Sequence, residues 1–331
     1  MAAGLAVPLV IAAGGGLVSA FFYLSVLFGG FGTLILGYLA PLPLFLAGLW
    51  LGVPAVLLAG LAGGAAVLVG TSGSLLVSFA YLVTGALPAI LVVRQSLLAR
   101  VPGQGAGQET AARGAGGELE WYPPGRVLMG LTGLGVAAVL AAALLTSDQP
   151  GGLEGVVRRM LARVAGPLFS AQGLTAPEAG EFWVAEALPG LAAISWVTMT
   201  IVNAVLAQGA LMRFGRNRRP PMRLAELELP RWLVPAFLAA VLGASVLPDP
   251  FGFLAVNVAL ILAVPFAFAG LSVVHVGARS RSARLPILVG FYTVLFLFGW
   301  PILLLVGLGM IEQWIGLRRR FTPAAPGQED E

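Results

Sequence analysis

The chain has 331 residues, 58% of them hydrophobic and 10% charged, with 19 basic against 15 acidic side chains. A soluble domain wets its surface with about 25% charged residues, so this composition excludes a water-soluble globular protein and fits one whose outer surface is lipid. Cysteine is absent, which excludes disulfides, iron–sulfur clusters and thiol catalysis; the net charge of +4 comes from arginines at helix ends, a mark of topology rather than of nucleic-acid binding.

Apolar runs of about 20 residues match a hydrocarbon core of about 30 Å. They recur at 4–28, 31–50, 52–70, 74–97, 126–146, 182–212, 232–247, 252–277 and 286–314. The first lacks the basic leader of a secretory signal and is too long for its apolar core, so it reads as a retained membrane helix. The front four runs are separated by Gly29-Gly30, by Gly52 and Pro54, and by Gly70 to Gly73, residues that free φ or remove a donor. The expected class is all-α: a polytopic transmembrane helical bundle of eight or nine spans with one interfacial amphipathic helix. The count turns on 232–247, which at 16 residues is short to cross and is re-entrant in the eight-span reading.

Four segments organise the chain: a front four-helix half over 1–97, a Gly/Ala/Gln-rich flexible loop over 98–124, a rear half over 125–320, and a polar tail over 321–331. Within the rear half, Leu153, Val156, Val157, Met160, Leu161, Val164 and Leu168 recur at helical spacing, with Glu154, Arg158, Arg159 and Arg163 opposite them. Residues 152–169 are therefore expected to form a helix lying in the membrane interface, or a lid packed on its own bundle.

Every basic residue is arginine, which reads as the codon usage of a GC-rich bacterial genome, and hence as a bacterial inner-membrane protein. Arg94 and Arg100, then Arg213 to Arg231, then Arg279 to Arg284 follow the fourth, sixth and eighth runs. All three loops share one side if the N-terminus is cytoplasmic. Arg318 to Arg320 and the arginines of 152–169 disagree with a nine-span count, and the parity of the C-terminus stays open.

No catalytic constellation is visible. A single histidine, His275, cannot build a histidine zinc site or an HExxH motif. GTSGS at 70–74 reads as a turn, and there is no Walker A sequence. The expectation is a non-enzyme with no catalytic residues, metal or cofactor. Polar groups inside spans are then the ligand-binding candidates, because unpaired ones are costly in hydrocarbon: Trp196, Thr200 and Asn203 share one face, Glu186 precedes Pro189-Gly190, and Asn257 and Tyr81 (with Thr84) lie on other spans. The alternative for these residues is interhelical bonding that holds the bundle together. Gly16/Ala20, Gly48/Gly52 and Gly60/Gly64 have helix-packing spacing. Trp50, Trp121, Tyr122, Trp183 and Trp314 read as interfacial anchors. Glu312 closes the last run, where either Arg318 or solvent meets its charge.

Two stretches carry a resemblance: LAPLPLFLAGLWLG at 39–52, after a helix ending FFYLSVL, and GLGMIEQWIGLRRR at 307–320. They resemble the YybS-like family of uncharacterised bacterial membrane proteins, known as domain of unknown function 2232. About 28 residues carry the direct similarity, and no functional residue transfers with it. The resemblance implies a fold distantly similar to the substrate-binding subunits of energy-coupling-factor vitamin transporters and to the rod-shape protein MreD. Two functions follow as expectations: a transport-related component that binds a small molecule, or a non-transporting scaffold for envelope or cell-division proteins. Expected partners are membrane lipids and a membrane-protein partner or second copy, with no nucleic acid.

Overall fold

A computed structural model describes residues 2–100, 119–171, 183–279 and 281–318. Much of the loop over 98–124, the start of the run at 182, and the tail over 321–331 lie outside the described residues. Thirteen helices are named here: α1 Ala2–Ser25, α2 Phe31–Tyr38, α3 Leu42–Leu51, α4 Val53–Gly70, α5 Leu75–Tyr81, α6 Leu87–Ser96, α7 Pro124–Leu145, α8 Gly152–Ala171, α9 Leu188–Arg213, α10 Leu233–Val246, α11 Phe251–Arg279, α12 Arg284–Phe298 and α13 Pro301–Ile315. Among the described residues the sheet content is one ribbon of two-residue strands, β1 Ala99–Arg100 paired antiparallel with β2 Glu120–Trp121. This is an all-α polytopic bundle. Among the described residues, seven helical segments are long and apolar enough to cross a membrane: Val7–Phe28, Phe31–Leu51, Val53–Gly70, Leu75–Ser96, Pro124–Leu145, Leu188–Arg213 and Phe251–Arg279. The helices α10, α12 and α13 are apolar but shorter.

The run 286–314, read from hydropathy as one span, is two helices. Gly299 at φ +66° turns the chain, and Pro301 has no N–H with which to continue the helix across Trp300. Hydropathy averages over such a break.

The chain forms two compact units. The first comprises Met1–Pro123 with Trp196–Met222, the second Pro124–Ser195 with Arg223–Glu331. The expected front half lies within the first unit, and most of α9 joins it. In that unit Gly16 of α1 sits directly against the backbone of Ala59 and Gly63 on α4, where a Cβ would strike the Ala59 carbonyl. Gly60 and Gly64 make room for Ala86 and Leu82, and Gly48 for Val93 and Val56. Close approach of this kind replaces the hydrophobic drive that helices lack in lipid.

The second unit repeats the device. Gly309 of α13 sits against the Phe266 carbonyl of α11, and Gly270 of α11 against the Leu305 carbonyl of α13. Leu233, Val234, Leu262 and Phe266 form its core beside these contacts, with Phe237 edge-on to Phe266 at 5.5 Å between ring centroids.

Candidate functional site

Prolines inside spans decide where the buried polar side chains go. A proline supplies no N–H, so the carbonyl four residues earlier loses its helical partner, and an orphaned carbonyl in hydrocarbon must be satisfied by something else.

The fourth span contains a π-type turn over Leu82–Ala86, just before Pro88. Thr84 is four residues ahead of that proline, and its carbonyl accepts from the indole Nε1 of Trp196 at 2.7 Å. The second span breaks between α2 and α3, where Pro41 and Pro43 interrupt the donors. The Leu42 amide turns back to the Leu39 carbonyl at 3.0 Å, which leaves Tyr38 without its helical donor. Asn203 Nδ2 donates to the Tyr38 carbonyl at 2.7 Å and to Met199 of its own helix at 2.8 Å. Ser19 Oγ donates to the Ala40 carbonyl at 2.6 Å and accepts from the Tyr81 hydroxyl at 2.9 Å. Thr200 is buried and donates to Trp196 on its own helix at 2.8 Å. Four of the six candidates, Tyr81, Trp196, Thr200 and Asn203, thus belong to the first unit.

Both contacts of Asn203 Nδ2 are carbonyls, which fixes the nitrogen. Its Oδ1 then remains a buried acceptor with no hydrogen-bond partner, on a residue only 1% exposed.

Asn257 and Glu186 belong to the second unit, where they meet through the Glu186 backbone. The Asn257 amide stands in for one helical peptide bond. Its Oδ1 accepts from the Gly190 amide at 2.6 Å, and its Nδ2 donates to the Glu186 carbonyl at 2.8 Å and to Phe253 at 2.7 Å. In a regular helix the Gly190 amide would donate to Glu186 directly. The wedge fits because residue 190 is glycine, whose missing Cβ would lie 3.0 Å from Asn257 Oδ1. The Glu186 side chain is turned outward and takes part in an ion pair with Arg158 of α8 at 3.4 Å; Arg158 also pairs with Glu154 at 2.8 Å. Of the six expected site residues, four therefore belong to the first unit and two to the second.

Three polar residues that the sequence reading did not single out do comparable work. Arg219 is buried and donates to the carbonyls of Ser96 at 3.0 Å and Tyr122 at 2.9 Å, with its guanidinium 5.7 Å from the Trp121 ring centroid. Gln313 donates to Pro230 at 2.8 Å. Ser272 donates to Leu224 at 2.7 Å. The signal for these residues is weak in sequence, since their partners are carbonyls at helix ends and in connections far along the chain. By contrast, counting four residues back from Pro88 would have found Thr84.

At the end of α13, Glu312 is met by Arg318 rather than by solvent. The carboxylate is 5% exposed and accepts from Arg318 Nε at 2.7 Å and from its backbone amide at 3.1 Å. Arg318 also reaches the Ala225 carbonyl at 3.0 Å, so the pair ties the chain end to the segment Leu224–Glu226. Among the described residues no cluster of three or more His, Asp or Glu has metal-binding geometry.

Comparison with known families places residues 180–311 in a match to the model of DUF2232, described as a predicted membrane protein. That is the family which the stretches at 39–52 and 307–320 resembled. No curated protein and no solved structure matches the chain.

Proposed function

Starting from a multi-span membrane protein whose residues 180–311 match the DUF2232 model, we propose a transport-related, small-molecule-binding membrane component without enzymatic activity. The observation that carries this reading is the unfilled Oδ1 of Asn203, an acceptor buried beside a broken span. Transporters build binding sites from discontinuous helices near the bilayer midplane, and a buried acceptor left empty costs about 1–3 kcal/mol. Among the described residues of the first unit, the charged side chains lie in or after the last turns of α6 and α9. The surroundings of Asn203 therefore suit an uncharged solute that donates a hydrogen bond. A chain without a Walker A sequence draws its energy, in this reading, from a partner. In this reading the protein lies in a bacterial inner membrane with a cytoplasmic N-terminus, and α8 rests in the interface, presenting Met160 and Val164 to the acyl chains.

Extraction into polymer-bounded discs, followed by mass spectrometry of the released small molecules, tests this. A stoichiometric polar solute is expected with the natural chain and absent with Asn203→Leu; its absence from both would overturn the proposal. A second reading, the scaffold, is favoured by a different observation. Trp196, Thr200, Asn257 and Tyr81 all make internal hydrogen bonds. Stoichiometric recovery of one envelope or division protein from native membranes, with no solute, would select it.

A further inference from the structure

The described residues of the first unit hold six arginines, Arg94, Arg100, Arg213, Arg216, Arg218 and Arg219, against a single carboxylate, Glu120. Glu120 is committed to Arg100 at 2.8 Å. The others gather where α3, α6 and α9 end. Arg94 and Arg213 lie in the last turns of α6 and α9. Arg216 places its guanidinium 5.0 Å from the centroid of the Trp50 ring, near the end of α3. Arg218 points to Gly52, where its Nη1 is 3.1 Å from the position a Cβ would take. The loop that presents these residues is held in place, because Arg219 at its far end is bonded to Ser96 and Tyr122.

Exposed apolar side chains are interleaved with this charge. Phe214, between Arg213 and Arg216, is 75% exposed, and Met212 and Met222 are exposed too. A purely electrostatic partner such as a nucleic acid or an inorganic anion has no use for them. A membrane surface does, since acyl chains take up the apolar groups while phosphates meet the guanidinium groups. Stacking on tryptophan fixes the plane of a guanidinium and leaves its N–H edge free, the form that reads a phosphate bidentately.

We propose that Arg213, Arg216 and Arg218, with Trp50 and Phe214, form a headgroup clamp that retains anionic phospholipid at this edge of the first unit. The clamp is independent of any solute at Asn203. A general positive-inside bias would attract anionic lipid wherever arginines lie near the surface. The clamp differs in that its effect belongs to particular side chains, of which Arg216 and Arg218 are placed by Trp50 and Gly52.

Delipidated full-length protein is titrated with phosphatidylglycerol or phosphatidylcholine at 150 mM salt, and retained lipid is counted by native mass spectrometry. The natural chain is expected to favour phosphatidylglycerol. Arg216→Gln/Arg218→Gln is expected to lose about thirtyfold in that affinity, each arginine near a membrane surface contributing about fivefold. Arg281→Gln/Arg284→Gln, which removes the same charge from the second unit, is expected to bind as the natural chain does. Equal loss in both double variants would reduce the effect to bulk charge and overturn the clamp. Displacement of the lipid by equimolar inorganic phosphate would overturn it in favour of a free-anion site. Equal retention of the two lipids by the natural chain would overturn it without any variant, should the substituted protein fail to fold.

Discussion

The two units solve the same problem with different chemistry. Each contains spans interrupted by proline, and each must satisfy carbonyls that the interruptions expose. At those breaks the first unit uses neutral donors: the indole of Trp196, the amide of Asn203 and the hydroxyl of Ser19; its buried cation, Arg219, serves the Ser96 and Tyr122 carbonyls instead. The second also uses an amide, Asn257, but it adds a buried ion pair, Glu312 with Arg318, to hold its last helix. Neutral staples contribute about 0.6–2 kcal/mol each in a membrane bundle. A buried ion is different. Losing its partner leaves an uncompensated charge, at a cost of about 3–5 kcal/mol.

The largest test of this contrast is Glu312→Leu. It strands Arg318 and is expected to destabilise the protein by about 3 kcal/mol, read as a lowered thermal midpoint in detergent. A double change, Glu312→Leu with Arg318→Leu, is expected to recover much of that loss. Failure to recover would show that Arg318 acts through the Ala225 carbonyl more than through the ion pair.

Asn257→Leu comes next, at about 1–3 kcal/mol, because it leaves the Gly190 amide and the Glu186 carbonyl unpaired together. Asn203→Leu is expected to cost less, about 1 kcal/mol or below, since the change also removes the unsatisfied Oδ1. Chemical denaturation of the two variants side by side checks the order. If Asn203→Leu proved the more damaging, its Oδ1 would have to be engaged, and the argument for an open acceptor would fall.

The smallest effect belongs to the ribbon of β1 and β2. The hydrogen bond from Arg100 holds the Glu120 carboxyl below its ordinary value, and both side chains are exposed. A depressed carboxyl contributes stability above its ordinary titration range and loses it as pH falls through the lowered value. Acidification is therefore expected to lower the amide protection factors of Ala99, Arg100, Glu120 and Trp121, taken relative to the intrinsic exchange rate at each pH, while leaving the global midpoint unmoved. Glu120→Gln is expected to show the lowered protection at neutral pH.

What the sequence made legible follows from what hydropathy measures. Composition determines where a residue lies relative to lipid, so the membrane class and the long spans could be read directly. Hydropathy does not register a missing donor. That is why 286–314 reads as one span across Gly299-Trp300-Pro301, and why the polarity of Asn257 and Trp196 does not reveal that each meets a particular carbonyl. Arg219 and Gln313 were harder still. They serve carbonyls at Ser96 and Pro230, more than 80 positions away, and nothing local distinguishes them from other polar residues near a helix end.

The brevity of three helices in the second unit carries a consequence for the lipid around it. At 1.5 Å per residue, α10, α12 and α13 are each only about 21–23 Å long, well under a hydrocarbon thickness of about 30 Å. Wherever one of them faces acyl chains along its full length, the bilayer must thin to meet it or the helix must stop short of the far leaflet, and each ångström of mismatch costs a fraction of a kcal/mol. Reconstitution into shorter-chain lipid should therefore suit this half of the molecule better, and acyl-chain length becomes a physical variable of the protein's environment alongside headgroup charge.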